Sequence, residues 1–350
     1  MPYPIESKLV IAVASSALFD LRESDAVFQG QGEEPYRAYQ REHQDDVLQP
    51  GVAFPFIRRL LSLNGSDPSD QPVEVILLSR NDPDTGLRVF NSIQSHGLAI
   101  SRGAFVTGKA AYRYAPAFNA SLFLSANEDD VRAAMLAGQP SGLVLHSAYE
   151  DDMADEELRV AFDFDGVIAD DEAEVIFHET GDLGAFHQAE QENVLRAHNA
   201  GPLKELLIKI AALQQRERAR ASEDKSYESK VRIAIVTARN APSHKRMITS
   251  LREWGIQVDE TFFLGGIEKR RILEVFAPHI FFDDQRVHLD PASEWGAGPV
   301  QRPVRESTEN VEVPTTVVPD RMTSAQWQRP GERSLGAGCG QRPEVAALFA

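Results

Sequence analysis

The sequence predicts an α/β protein built from two related parallel-sheet units, each covered by helices, followed by a poorly ordered C-terminal tail. Three observations lead there. The 350-residue chain resembles itself with a period near 150 residues. In both copies apolar strand-like runs alternate with amphipathic helical segments. From about residue 297 the patterned apolar residues give way to Pro, Arg, Gly and Ser.

Taken in chain order, KLVIAVASSALFD (8–20) matches LRVAFDFDGVIAD (158–170), each an apolar run ending in polar turn residues. PGVAFPFIRRLLSLN then mirrors GPLKELLIKIAALQQ, whose Leu203, Leu206, Leu207 and Ile210 share one helical face. VEVILLSRNDP (73–83) matches VRIAIVTARNAP (231–242), and NSIQSHGLAISRGAFVTG (91–108) mirrors TSLREWGIQVDETFFLGG (249–266). SLFLSA (121–126) answers HIFFDD (279–284). Strands alternating with helices imply parallel sheets with right-handed crossovers, so two Rossmann-like units are expected, at 1–150 and 151–296, with a tail at 297–350.

Composition narrows the function classes. Lys plus Arg number 36 against 53 Asp plus Glu, a formal charge of −17, and no basic stripe with interleaved aromatics occurs, so nucleic acid is not an expected partner. No run of apolar residues is long enough to span a bilayer and the start MPYPIESK lacks a secretory core, so no membrane partner and a cytoplasmic address are expected. The single cysteine, Cys339, can build neither a disulfide framework nor a thiolate zinc site. Neither unit carries Gly-x-Gly-x-x-Gly after its first strand, and the P-loop pattern is absent.

Carboxylate pairs are common in so acidic a chain, and Asp82-Pro83-Asp84 before Gly86 reads as a turn. Two sites differ because buried-strand patterns deliver them. VAF ends in Asp163 and Asp165, with Gly166 allowing a sharp turn, and IFF ends in Asp283 and Asp284. Acids at the carboxyl ends of parallel strands converge on one crevice, where unpaired they would repel one another. A hard cation with oxygen ligands resolves the repulsion, and magnesium suits a carboxylate set without Cys or His. Thr237 closes the intervening strand and offers a hydroxyl to a phosphate. Lys269, after the LGG turn, offers an ammonium to a phosphoryl oxygen and to a neighbouring carboxylate.

The order DFDGV, VTAR, the lysine of GGIEK, then FFDD resembles the haloacid dehalogenase (HAD) superfamily over about 158–290. SSALF, YRAYQREH, PGVAFPFIRRL, GLRVFNSI, LFLSANEDDVRAA, GPLK and PHIFFDDQ extend the likeness to the cytosolic 5'-nucleotidase I family over about 1–300. Phe164 and Gly166 bring this copy nearer to the general superfamily motif than to the family's own.

The resemblance implies HAD-like units and a Mg2+-dependent 5'-nucleotidase that hydrolyses nucleoside 5'-monophosphates through an aspartyl-phosphate. Asp163 would be the nucleophile and Asp165 the acid/base. Thr237 and Lys269 would cradle the phosphate. The metal would be held by Asp163, the backbone carbonyl of Asp165, and one or both of Asp283 and Asp284. An ADP or ATP effector and a homo-oligomer are compatible with the family.

In the first unit, an offset of 150 sets Val13 and Ser15 opposite Asp163 and Asp165, and an offset of 158 sets Ser79, Ala111, Ser125 and Ala126 opposite Thr237, Lys269, Asp283 and Asp284. It therefore reads as a degenerate unit without catalytic carboxylates, with Phe19, Asn81 and Arg88 as candidates for a nucleoside or effector pocket. Rival readings are a HAD-type sugar-phosphate phosphatase or phosphomutase, and a non-catalytic nucleotide sensor.

Overall fold

Ten described strands form one sheet in the computed structural model, which describes residues 3–67, 69–145, 151–170, 172, 181–285, 289 and 346–348. The strands are β1 (Leu9–Val13), β2 (Val73–Ser79), β3 (Arg102–Phe105), β4 (Leu122–Ser125), β5 (Ser141–Leu145), β6 (Leu158–Phe162), β7 (Val231–Thr237), β8 (Glu260–Phe263), β9 (Ile280–Asp283) and β10 (Ala346–Leu348). Their order is β3-β2-β1-β4-β5-β10-β9-β6-β7-β8. Every pairing is parallel except β10 with β9. The halves β3-β2-β1-β4 and β8-β7-β6-β9 therefore repeat one topology, as the internal repeat predicts. All described residues belong to one compact unit.

Burial on both faces explains why these strands read as continuous apolar runs. Side chains alternate across each strand. Leu9, Ile11 and Val13 join Leu158, Val160 and Phe162 in one core shared by both halves, where Phe162 stacks on Phe282 at 5.0 Å between ring centroids. The opposite faces carry separate cores, Val10, Ala12 and Phe123 in the first half, Ala161, Val236 and Phe281 in the second. Each fully buried phenylalanine contributes about 1.5–3 kcal/mol through removal of apolar surface from water.

The first-strand register differs from the expected offset of 150 by one residue. Leu9 pairs with Val73 as Leu158 pairs with Val231, and the Ala14 amide donates to the Leu124 carbonyl (2.8 Å) as that of Asp163 donates to Phe282 (2.8 Å). Ala14, not Val13, thus stands opposite Asp163. The offset of 150 resumes at Gly51 and Gly201, whose amides donate to the Leu18 and Ile168 carbonyls. The turn after β6 therefore holds one more residue than its counterpart.

The tail from 297 lies outside the described residues apart from Ala346–Leu348, which pairs with β5 on one side and β9 on the other. No helix among the described residues is long and apolar enough to cross a membrane.

The segment joining the halves is fastened by buried cations. Arg59, whose side chain is fully buried, binds Asp151 Oδ1 (2.6 Å) and the Asp152 carbonyl (2.8 Å). Behind it, His279 Nδ1 accepts from the Arg159 amide (3.0 Å). Burial pushes the His279 imidazole down to about 3, the Arg59 and Arg159 charges add to this, and Asp155 opposes it. The unfolded chain titrates near 6.5, so it binds the proton first as pH falls. The resulting stability is full above about 6.5 and is lost as pH drops through the folded value. His279→Gln is therefore expected to flatten the acid limb. Between about pH 7 and pH 5 the wild type should lose roughly 2 kcal/mol more than the variant in urea unfolding. An equal loss in both would show that His279 is not the titrating group.

Candidate active site

The carboxyl ends of β6, β7 and β9 deliver the site. β6 carries Asp163 to the sheet edge, where its Oδ1 accepts from the Phe164 amide (2.7 Å). Gly166 follows at φ +71°, a left-handed conformation that costs an L side chain roughly 1–2 kcal/mol. β9 ends in Asp283, whose Oδ1 accepts from the Gln285 amide (2.8 Å), with Asp284 next in the chain. Oxygens of Asp163, Asp283 and Asp284 lie within 4.8 Å of one another. Lys269 arrives after Gly265 and Gly266, both at positive φ, and caps the helix Arg270–Phe276. Its Nζ lies 2.5 Å from Asp163 Oδ2 and 2.7 Å from Asp283 Oδ2. Thr237 is fully buried at the end of β7, and its Oγ1 accepts from the Arg239 amide (3.2 Å).

Three carboxylates thus face one ammonium. Burial pushes Asp163 up to about 7 against the pull of Lys269, with Asp283 and Asp165 adding repulsion. Asp284 rises to about 7 through burial and the charges of Asp163 and Asp283. Burial alone would push Lys269 down, but the Asp163 and Asp283 carboxylates outweigh it and hold the ammonium above the ordinary lysine range. Asp284 Oδ1 is buried with no hydrogen-bond partner among the described residues. An all-oxygen donor set in negative excess, with one oxygen unpaired, fits a hard divalent cation. Asp163, Asp283 and Asp284 would hold it.

A Cβ on Gly166 would sit 2.5 Å from Asp284 Oδ2. Gly166→Ala should therefore displace that carboxylate, weakening the binding of a divalent cation, titrated calorimetrically with Mg2+, about ten- to a hundred-fold. Unchanged affinity would show that Asp284 does not depend on the turn.

The side chain of Asp165 stands near enough to repel Asp163 but is not one of the three that would hold the cation. Arg239 Nε and Nη2 donate to its Oδ2 (2.7 Å) and Oδ1 (2.5 Å) in a buried two-point ion pair. Arg239 Nη1 also bonds Glu190 Oε2, and Arg246 Nη1 donates to Glu190 Oε1 (2.8 Å). His198 Nε2 stands 3.1 Å from Arg239 Nη2. Burial would raise the Glu190 carboxyl, but the bond to His198 and the Arg239 charge hold it down at about 2. Arg239 is held above its ordinary range by Asp165 and Glu190 despite its burial.

Sequence reasoning missed Arg239, Glu190 and His198. Arg239 was visible in VTARN two residues after Thr237, whereas Glu190 and His198 lie in a polar stretch, 181–200, that carried no signal of burial.

Phe19, Asn81 and Arg88 are not brought to this cluster. Phe19 is buried in the first half, stacked on His96 (5.7 Å between centroids). Arg88 Nε donates to the Asp46 carbonyl (3.0 Å) and its Nη1 to Gln40 Oε1 (3.3 Å). Asn81 follows the end of β2, where its Oδ1 accepts from the Tyr36 hydroxyl (3.2 Å) and its buried Nδ2 has no partner among the described residues.

Two comparisons bear on these features. The human protein cytosolic 5'-nucleotidase 1B is 33% identical over 304 residues, covering 85% of this chain and 49% of the relative. The chain thus spans about half the length of that curated relative. The family model described as 5'-nucleotidase matches residues 1–305, a span holding both half-sheets and every acid of the cluster. By that match the chain belongs to the 5'-nucleotidase family.

Proposed function

We propose that the chain is a Mg2+-dependent phosphomonoester hydrolase that converts nucleoside 5'-monophosphates to nucleoside and phosphate through an aspartyl-phosphate at Asp163. The observation that carries this is Asp163 at a strand end, paired with Lys269 and within 4.8 Å of Asp283 and Asp284. A carboxylate so placed has a cation beside it to offset phosphate charge and a geometry suited to covalent transfer. The relative's name adds the substrate class and the cytosolic setting.

An oxygen of Asp163 attacks phosphorus as the bond to the 5'-oxygen breaks, and Asp165 gives that oxygen its proton. Water then attacks the aspartyl-phosphate, passes a proton to Asp165 and frees Asp163. Lys269 and the Thr237 hydroxyl offset charge on the phosphoryl oxygens. When bound, magnesium supplies further neutralisation of the transferring group. The unit 1–150 supports this chemistry as a degenerate copy, since Ala14, Ser125 and Ala126 occupy the positions of Asp163, Asp283 and Asp284.

Phosphate release across ribo- and deoxyribonucleoside monophosphates and sugar phosphates, with and without ADP or ATP, tests this. Removing the base should eliminate most of the rate. Equal rates on sugar phosphates would favour the sugar-phosphatase reading, and no release from any of them the sensor reading.

A further inference from the structure

The duplicated halves distinguish scaffold from site around Asp165. In the first half Arg88 Nη1 donates to Gln40 Oε1 (3.3 Å), Arg88 Nε to the Asp46 carbonyl (3.0 Å), and the Leu48 amide to Ser92 Oγ (2.9 Å). The second half repeats each bond, from Arg246 Nη1 to Glu190 Oε1 (2.8 Å), from Arg246 Nε to the Arg196 carbonyl (3.1 Å), and from the His198 amide to Ser250 Oγ (2.9 Å). That frame is present where no catalytic carboxylate exists, so it belongs to the fold.

The changed positions are the residue that bonds Asp165 and two that bond that residue. Asn81, Gln40 and Leu48 become Arg239, Glu190 and His198, and a serine turn becomes the turn holding Asp165. A neutral set has been replaced by a linked, charged one in the half that carries the nucleophile. The Arg239 side chain is 2% exposed, so its charge is not there for solubility. Both its N–H edges are committed, one to Asp165 and the other to Glu190. A guanidinium held on one side presents a fixed fork on the other, and a fork sets the plane of a carboxylate as a point charge does not.

We propose that Arg239, seated by Glu190, is the positioning residue that aims Asp165 for proton transfer. The inference rests on the reading of Asp163 as nucleophile and Asp165 as acid/base. In the transfer step the Asp163–phosphorus bond forms, the bond from phosphorus to the ester oxygen breaks, and a proton that Asp165 takes up from solvent when substrate binds moves to that oxygen. Hydrolysis returns a proton from water to Asp165. A misaimed Asp165 therefore penalises the departure of an alkoxide and spares a leaving group that needs no proton.

The test compares kcat/KM for a nucleoside 5'-monophosphate with kcat/KM for p-nitrophenyl phosphate, whose phenolate departs unprotonated. Arg239→Lys keeps the charge and removes the fork. It should lower the nucleotide value about 100-fold and the p-nitrophenyl phosphate value less than about five-fold. Asp165→Asn should show the same selectivity, and Glu190→Gln a smaller shift in the same sense. Parallel loss on both substrates, misfolding included, makes Arg239 a structural residue and overturns the proposal. Unchanged or raised nucleotide turnover overturns it as well. Failure of the wild type on nucleotides would instead count against the functional reading, and the ratio would then be measured with an alkyl phosphate that the wild type accepts.

Discussion

Asp163→Asn is expected to lower kcat on nucleoside monophosphates by at least about 10⁴-fold, because an amide oxygen cannot displace an alkoxide from phosphorus and nothing nearby substitutes for it. Asp165 is committed to Arg239, Asp283 is engaged by Lys269, and Asp284 is assigned to the metal. The loss should not come from unfolding. Folded Asp163 titrates near 7, above its unfolded value, so without metal its contribution is present at low pH and lost as pH rises through that value. At neutral and higher pH a neutral Asn therefore leaves the metal-free protein at least as stable as wild type. Thermal melting and phosphate release on one preparation check both halves of the expectation. Turnover within about ten-fold of wild type would remove Asp163 from the nucleophile's role.

Lys269→Met should produce the next largest effect, with two signs. Turnover falls about 10²- to 10³-fold as the ammonium that offsets phosphoryl charge disappears. Metal-free stability falls by roughly 3–5 kcal/mol, because Asp163 and Asp283 lose the cation 2.5 and 2.7 Å away. Magnesium affinity rises, since the same carboxylates then present their charge without a competitor. Titration calorimetry and melting with and without magnesium separate these terms. Weaker magnesium binding together with unimpaired turnover would show that Lys269 serves neither the acids nor the phosphate.

Asp163 was legible in the sequence for a physical reason, whereas Lys269 was read from its place after the LGG turn in the motif order. Strands buried on both faces read as unbroken apolar runs, so the polar residue ending each run stands out, and parallel topology brings such ends together. Asp163, Thr237, Asp283 and the first half's lack of acids all followed from that pattern. The Arg239–Asp165–Glu190 network did not, because a charge on a helix or loop looks the same in sequence whether solvated or buried with a partner. The register of β1 against β6 slipped by one for a related reason. VIAV and VAF are apolar on both faces, so alternation could not fix which residue lay opposite Asp163. The short run VAALFA inside a Pro- and Gly-rich tail was likewise too brief to announce β10.

The central claim is that Asp163, Asp283 and Asp284 share one divalent cation while Asp163 carries the phosphoryl group. A crystal grown with magnesium and beryllium fluoride, which mimics a phosphoryl group bound to a carboxylate, tests it directly. The account predicts beryllium bonded to an oxygen of Asp163, with magnesium contacting Asp163 and at least one of Asp283 and Asp284. Beryllium fluoride bound to another residue, or magnesium away from all three carboxylates, would contradict it.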